Sequence, residues 1–227
     1  MRRGLRSGRA ALAIAAIVTV AGCAAGTSTP LQPAGYSGSA LAALDALPVK
    51  GRAPKTGYSR AQFGPTWADV DHDGCDQRNQ VLRRDLTDVA VKPGTRECVV
   101  LTGRLVDPYT GSAIGFTRGV KTSSLVQIDH VVALGDAWQT GAQRLSAEER
   151  EQFGNDPLEL LAVSGRVNDQ KKDSDAASWL PPNRAFRCAY VARQVAVKLR
   201  YRLWVTRAEH DAIASVLARC PDQRLPG

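Results

Sequence analysis

The sequence has no run of about 18 consecutive apolar residues, the length that a membrane-spanning helix requires. It also has no internal repeat and no Cys-x-x-Cys pair. Aromatic residues make up only 6% of the chain, whereas 44% of the residues are apolar and 23% are charged. The apolar and charged fractions are those of an ordinary single-domain globular protein. These values exclude a disordered chain, a collagen-like fibre and a cysteine-dense miniprotein, and we do not expect an integral membrane protein.

The formal net charge of +8 is concentrated at the N-terminus. Residues 1–22 contain four arginines and no acidic residue, so the rest of the chain carries only +4. A short apolar segment, Ala10–Ala21, follows the arginines, and this order predicts a secretory signal peptide. The sequence Val20–Cys23 resembles a bacterial lipobox. We therefore expect an exported protein that is lipid-anchored through Cys23 to the outer face of the cell membrane, with a plain secreted protein as the alternative.

Four further cysteines predict two disulfide bonds, because exported chains with an even number of thiols are usually cross-linked. Apolar residues recur at helical spacing after Cys188, and Thr206–Glu209 is a capping box that begins another helix. Such a helical hairpin would bring Cys220 beside Cys188. We therefore predict a Cys188–Cys220 bond and, by elimination, a Cys75–Cys98 bond. Zinc binding is disfavoured without a Cys-x-x-Cys pair.

The remaining organisation is that of a tether followed by one domain. Residues 23–38 are rich in Ala, Gly, Ser, Thr and Pro and predict a flexible tether, so residues 39–227 form the predicted domain. A short amphipathic helix begins after Ser39. Two β-rich segments, Glu97–Val106 and Ser112–Thr117, flank a turn and predict a β-hairpin. We therefore expect an α+β fold that ends in the disulfide-closed helical hairpin.

Residues that carry chemistry occur in a distinctive order between positions 125 and 175. They are Asp129, His130, Asn155, Asn168, Lys171 and Lys172. A predicted strand, Leu125–Ile128, leads into the Asp-His pair, and a second, Leu158–Val163, lies between the two asparagines. The histidine is followed after 25 residues by Asn and after 38 by Asn-x-x-Lys. An isolated Asp-His pair is compatible with a surface turn, but the complete order is more specific.

This order resembles the HNH nucleases, also called ββα-metal or His-Me finger nucleases. The likeness is greatest to bacterial secreted HNH endonuclease-like proteins and to the C-terminal nuclease domain of GmrSD-type restriction enzymes. It implies a ββα-metal core and metal-dependent hydrolysis of nucleic-acid phosphodiesters. DNA is the expected substrate and RNA the alternative. We expect low sequence specificity, because the chain has no separate base-reading module.

The resemblance also implies a role for each residue of the motif. His130 would be the general base that activates water. Asp129 and Asn168 would hold one divalent cation, Mg²⁺ or alternatively Mn²⁺ or another divalent ion. Asn155 would orient the histidine without touching the substrate. Many family members have His where this chain has Asn168, which leaves the preferred metal open.

Three basic residues complete the predicted site. Lys171 and Lys172 would contact phosphate, because they lie just beyond the second asparagine of the motif. Arg78 lies in a Gly-Cys-Asp-x-Arg-Asn segment shared with the resembling secreted nucleases, and it would contact phosphate or the leaving group. The alternative for Arg78 is a helix-surface position paired with Asp85 or Asp88.

An acidic loop suggests a different function. Asp69, Asp71 and Asp73 match the first ligand positions of an EF-hand Ca²⁺ loop, but position 12 is Gln80 instead of Glu. The competing hypothesis is therefore a non-catalytic envelope lipoprotein that binds Ca²⁺ and anionic polymers. The sequence identifies no protein partner for either function.

Overall fold

The computed structural model describes Met1 and residues 38–226. The chain divides into one unit spanning Met1–Pro30 and another spanning Leu31–Gly227. The predicted signal peptide, the lipidation site at Cys23 and all of the predicted tether before Gly38 lie outside the described residues. Among the described residues, no helix has the length and apolarity needed to cross a membrane.

The structure is a mixed α+β fold with small antiparallel sheets. Its helices are α1 (Ala40–Asp45), α2 (Gln77–Asp85), α3 (Leu134–Gln139), α4 (Ala147–Asn155), α5 (Gly165–Lys171), α6 (Arg187–Arg200) and α7 (Arg207–Leu217). Its strands are β1 (Leu86–Val91), β2 (Val100–Val106), β3 (Ala113–Thr117), β4 (Val126–His130) and β5 (Leu160–Ser164). Short 3₁₀ helices cover Arg60–Phe63, Ser123–Leu125, Ala142–Arg144 and Arg184–Phe186.

One sheet contains the predicted hairpin and one additional strand. β2 and β3 pair antiparallel with Val106 opposite Ala113, as the turn signals between them predict. β1 pairs antiparallel with the other side of β2, giving the order β1-β2-β3. β1 was not predicted from the sequence, and α2 was predicted only as the alternative helix-surface position of Arg78, although Asp76 caps α2 by accepting a hydrogen bond from the Asn79 amide.

The second sheet pairs β4 with β5 and carries the motif region. Its antiparallel register places Asp129 opposite Leu161 and His130 opposite Leu160. Every residue of β5 is buried, which explains its apolar run from Leu160 to Val163. α5 follows β5 directly and begins at Gly165, where a Cβ would lie 2.0 Å from the Ser124 carbonyl oxygen. Glycine is therefore required at this close crossing of two backbones.

Both predicted disulfide bonds are present. Cys188 and Cys220 join the helical hairpin formed by α6 and α7, with their Cα atoms 6.4 Å apart. Cys75 and Cys98 join the segment before α2 to the segment before β2, with their Cα atoms 5.4 Å apart. The predicted capping box at the start of α7 is also formed, with reciprocal hydrogen bonds between Thr206 and Glu209.

Residues 46–76 form a long connection between α1 and α2, which we call the strap. Arg52 of the strap donates to Asp175 at 2.7 Å and lies 2.9 Å from an oxygen of Asp136. Lys198 of α6 lies 3.2 Å from Asp136 and 2.7 Å from Glu209 of α7. This largely buried network of two basic and three acidic side chains ties the strap to both C-terminal helices.

Candidate active site

A cleft of about 440 Å³ opens beside the end of β4. It is bordered by the strap, α2, the β4 strand, the start of α3 and α5. Its lining residues of chemical interest are Arg60, Trp67, Arg78, Gln127, Asp129, His130, Asn168, Asp169, Lys172 and Asp173. The fold therefore brings five predicted site residues to one concave surface: Arg78, Asp129, His130, Asn168 and Lys172.

The His130 imidazole is held in a defined orientation. Its Nε2 lies 2.9 Å from the Gly154 carbonyl oxygen, which only accepts hydrogen bonds. In the neutral ring, Nε2 therefore carries the proton and Nδ1 has a free lone pair. The Trp67 indole stacks on the imidazole with a centroid separation of 6.0 Å and an interplanar angle of 13°. Burial lowers the pKa of His130 to about 3, so the ring is neutral at ordinary pH.

The Asp129 carboxylate is buried and accepts hydrogen bonds on both oxygens. The Tyr109 hydroxyl donates to Oδ2 at 2.5 Å, and the Lys171 ammonium donates to Oδ1 at 3.0 Å. Lys171 also donates to the His130 carbonyl oxygen at 2.7 Å. Burial raises the pKa of Asp129, while the adjacent ammonium opposes that change.

The position of Lys171 corrects one expectation from the sequence. Its side chain is 0% exposed and serves as the counterion of Asp129, so it does not present its charge to a phosphate. The next residue, Lys172, is exposed and lines the cleft. Lys172 directly follows α5, and its positive φ of 53° turns the chain away from the helix direction. Of the two lysines, only Lys172 remains a candidate phosphate contact.

Asn168 lies on α5 and lines the cleft. Its Nδ2 donates to Gln127 Oε1 at 2.9 Å, so its Oδ1 is left as an acceptor. Asn155 lies instead at the end of α4 and donates to the Glu151 carbonyl oxygen at 2.9 Å. Among the described residues it makes no hydrogen bond with His130, but it directly follows Gly154, whose carbonyl oxygen holds the imidazole. The predicted orienting role of Asn155 would therefore act through the backbone.

Arg78 projects from α2 into the cleft wall. Its Nη2 donates to the Val126 and Ser123 carbonyl oxygens at 3.2 and 3.4 Å. Burial and the neighbouring Arg118 lower the pKa of its guanidinium. The alternative pairing with Asp85 or Asp88 is absent from the described residues, where Asp85 pairs with Arg84.

The two cleft residues from the strap were not predicted from the sequence, because no motif marks them. Arg60 and Trp67 belong to the strap and lie more than 60 positions before His130 in sequence. Trp67 has a φ of 62°, a left-handed conformation that is a genuine outlier for a bulky side chain. Such backbone strain is concentrated at functional sites. Only the folded chain shows that the strap reaches the Asp-His pair.

The acidic loop brings its three carboxylates together, as the EF-hand pattern suggests. One oxygen each of Asp69, Asp71 and Asp73 lies within 4.8 Å of the others. The Gln80 side chain donates to both oxygens of Asp71 at 3.1 Å. The Asp69 carboxylate accepts from the Gly74 amide at 2.9 Å. The loop is thus closed by its own hydrogen bonds and lies outside the cleft.

Comparison with known proteins gives two matches. The family described as GmrSD restriction endonucleases, C-terminal domain, matches residues 76–216. An uncharacterized secreted protein of Arthroderma benhamiae is 36% identical over 211 residues, covering 92% of this chain and 98% of the relative. No solved structure shows a significant match. The family match begins at the cap of α2 and includes the motif from Asp129 to Asn168, but it excludes most of the strap.

Proposed function

Because the chain belongs to the family of GmrSD restriction endonuclease C-terminal domains, we propose that it is an HNH-type, metal-dependent endonuclease. The observation that carries the proposal is the convergence of Asp129, His130 and Asn168 on one cleft. The succession of β4, β5 and α5 around that cleft also has the order of a ββα-metal core. The reaction is hydrolysis of a nucleic-acid phosphodiester.

His130 is the proposed general base. Its unprotonated Nδ1 accepts a proton from a water molecule as the water oxygen attacks phosphorus. The hydrogen bond to Gly154 and the stacked Trp67 hold the imidazole so that it need not reorient during the reaction. Since burial lowers the pKa of His130 to about 3, the base stays deprotonated throughout the neutral range.

The residues around the cleft fit a hard divalent cation. Asn168 Oδ1 is not used by the hydrogen bond to Gln127, and the Asp129 carboxylate has acceptor capacity beyond its hydrogen bonds with Tyr109 and Lys171. Carboxylate and amide oxygens are the ligands that Mg²⁺ prefers. When bound, the ion would stabilise negative charge on the transferring phosphoryl group and the leaving oxygen. Lys171 would then hold the Asp129 carboxylate in place.

DNA is the proposed substrate, with RNA as the alternative. Arg78 and Lys172 offer positive charge on different walls of the cleft, and contacts with phosphate favour binding without base readout. Export is supported by the Arthroderma benhamiae relative, which is described as secreted. We further propose that residues 1–22 are a signal peptide and that Cys23 is lipidated, which would tether residues 39–227 outside the membrane.

Plasmid DNA incubated with the mature protein in Mg²⁺ tests this function. The expected result is conversion of supercoiled DNA to nicked and linear forms, with full suppression by EDTA and restoration by added Mg²⁺. A matched incubation with single-stranded RNA defines the substrate preference. Absence of cleavage with Mg²⁺, Mn²⁺ and other divalent ions would contradict the proposal.

The competing function, a non-catalytic lipoprotein that binds Ca²⁺, is favoured by one observation. The carboxylates of Asp69, Asp71 and Asp73 converge closely enough to share a cation. The discriminating measurement is the melting temperature with Ca²⁺, with Mg²⁺ and with EDTA, in the native protein and in Asp71→Asn. A Ca²⁺-specific increase that Asp71→Asn removes, without nuclease activity, would favour this alternative.

A further inference from the structure

We propose that Arg60 is a phosphate-contacting residue of the cleft, supplied by the strap from outside the sequence range that matches the family. The inference rests on the proposed nuclease function and extends its binding machinery. Arg60 begins the 3₁₀ helix Arg60–Phe63, whereas the family match starts at residue 76. The strap therefore connects α1 to α2 and also contributes a residue to the active site.

The first support is the charge environment of Arg60. It is exposed, lines the cleft together with His130, and makes no ion pair within 4.0 Å with any carboxylate that the structure describes. Two other cations near the cleft are paired with carboxylates: Lys55 lies 2.8 Å from Asp173, and Lys171 lies 3.0 Å from Asp129. Arg60 thus presents an uncompensated charge beside the proposed base.

The second support is the rigid attachment of the short helix that carries Arg60. Phe63 is buried and packs on Phe153 of α4 with a ring-centroid separation of 5.6 Å. Arg150 of α4 donates to the Gln62 carbonyl oxygen at 2.7 Å. The next residue, Gly64, has a φ of 74° and packs against α4, where a Cβ would lie 2.7 Å from a carbon of Glu151. These contacts fix the backbone of Arg60 relative to the cleft.

The third support is the chemistry of the guanidinium. Its planar set of donors binds two phosphate oxygens at once, and it keeps its charge at all ordinary pH values. Arg78 lies on a different wall of the same cleft. A phosphodiester placed near His130 would therefore have two guanidinium groups in the lining of the cleft. Such fixed positive charges stabilise the charge that develops during phosphoryl transfer.

The test compares Arg60→Ala and Arg60→Lys with Arg219→Ala, a matched control. Arg219 is also an exposed arginine, but it follows α7 and does not line the cleft. We expect Arg60→Ala to lower kcat/KM for DNA roughly 10- to 100-fold, the loss of a hydrogen-bonded charge contact. Arg60→Lys should fall between Arg60→Ala and the native protein. Melting temperatures should match that of the native protein, because the side chain is exposed.

A binding measurement separates this inference from the proposed reaction. The affinity for a fluorescein-labelled oligonucleotide is followed by anisotropy in EDTA over a series of salt concentrations. Arg60→Ala should reduce the slope of log K against log[salt] by the amount expected for the loss of about one phosphate contact. Arg219→Ala should leave the slope unchanged. Equal kcat/KM and equal slopes for Arg60→Ala and Arg219→Ala would overturn the role of Arg60. If the native protein binds without cleaving, the reaction is refuted and the slopes still decide for or against Arg60. Absence of both binding and cleavage would refute both proposals.

Discussion

Replacing Lys171 by Met should destabilise the protein strongly, although the sequence predicted a phosphate contact for Lys171. Methionine is similar in length to lysine, but it lacks the ammonium that donates to Asp129 and to the His130 carbonyl oxygen. Both partners of the ion pair are buried, so solvent does not screen the loss. Breaking such a pair costs about 3–5 kcal/mol, because a buried carboxylate loses its counterion.

The assay is urea unfolding at pH 7 and pH 5, with Lys172→Met as the matched control. Lys172→Met should change the free energy of unfolding by less than about 0.5 kcal/mol, because its side chain is exposed. The deficit of Lys171→Met should be smaller at pH 5. Without Lys171 the pKa of Asp129 rises further, and acid then allows the buried carboxylate to become neutral. Equal stability of the two variants at pH 7 would show that Lys171 is not the internal counterion.

Three further predictions concern other parts of the chain. Replacing Cys188 and Cys220 together by Ala should lower the free energy of unfolding by about 3–4 kcal/mol in a denaturant titration, because the helical hairpin loses its cross-link. Nuclease activity should fall as well. Unchanged stability would contradict this prediction. Burial among neighbouring carboxylates raises the pKa of Glu209 from 4.5 to about 7. Stability contributed by the protonated form should therefore be present below pH 4.5 and be lost as the pH rises to about 7. Glu209→Gln should flatten this part of the melting-temperature profile, and an unchanged profile would refute the assignment. Trp67→Ala should lower kcat more than Trp67→Phe does, because only an aromatic ring stacks on His130; equal kcat values for the two variants would exclude this positioning role.

Local signals in the sequence were sufficient to predict the periphery of the fold. The capping box at Thr206 and the apolar spacing after Cys188 predicted the helical hairpin and its disulfide bond. The turn after Val106 predicted the β2-β3 hairpin. Each of these features depends on residues that are close in sequence, so short-range patterns are informative.

The composition of the cleft depends on long-range contacts and was only partly predictable. The order of Asp129, His130 and Asn168 indicated a shared site, and the fold places all three around one cleft. The sequence does not distinguish Lys171 from Lys172, because their separation into buried and exposed residues depends on where α5 ends. Arg60 reaches the cleft only through packing of the strap on α4. No local pattern encodes that contact.

The most direct test of the proposed function is the rate of DNA cleavage by His130→Ala, measured beside the native protein and His210→Ala. His210 is a partly exposed histidine on α7 that lies outside the cleft, so its replacement controls for the loss of an imidazole. With Mg²⁺ present and folding verified, we predict that His130→Ala loses about 10²- to 10⁴-fold in cleavage rate, as expected for removal of a general base, while His210→Ala retains the native rate. Cleavage by His130→Ala at the native rate would contradict the proposed mechanism.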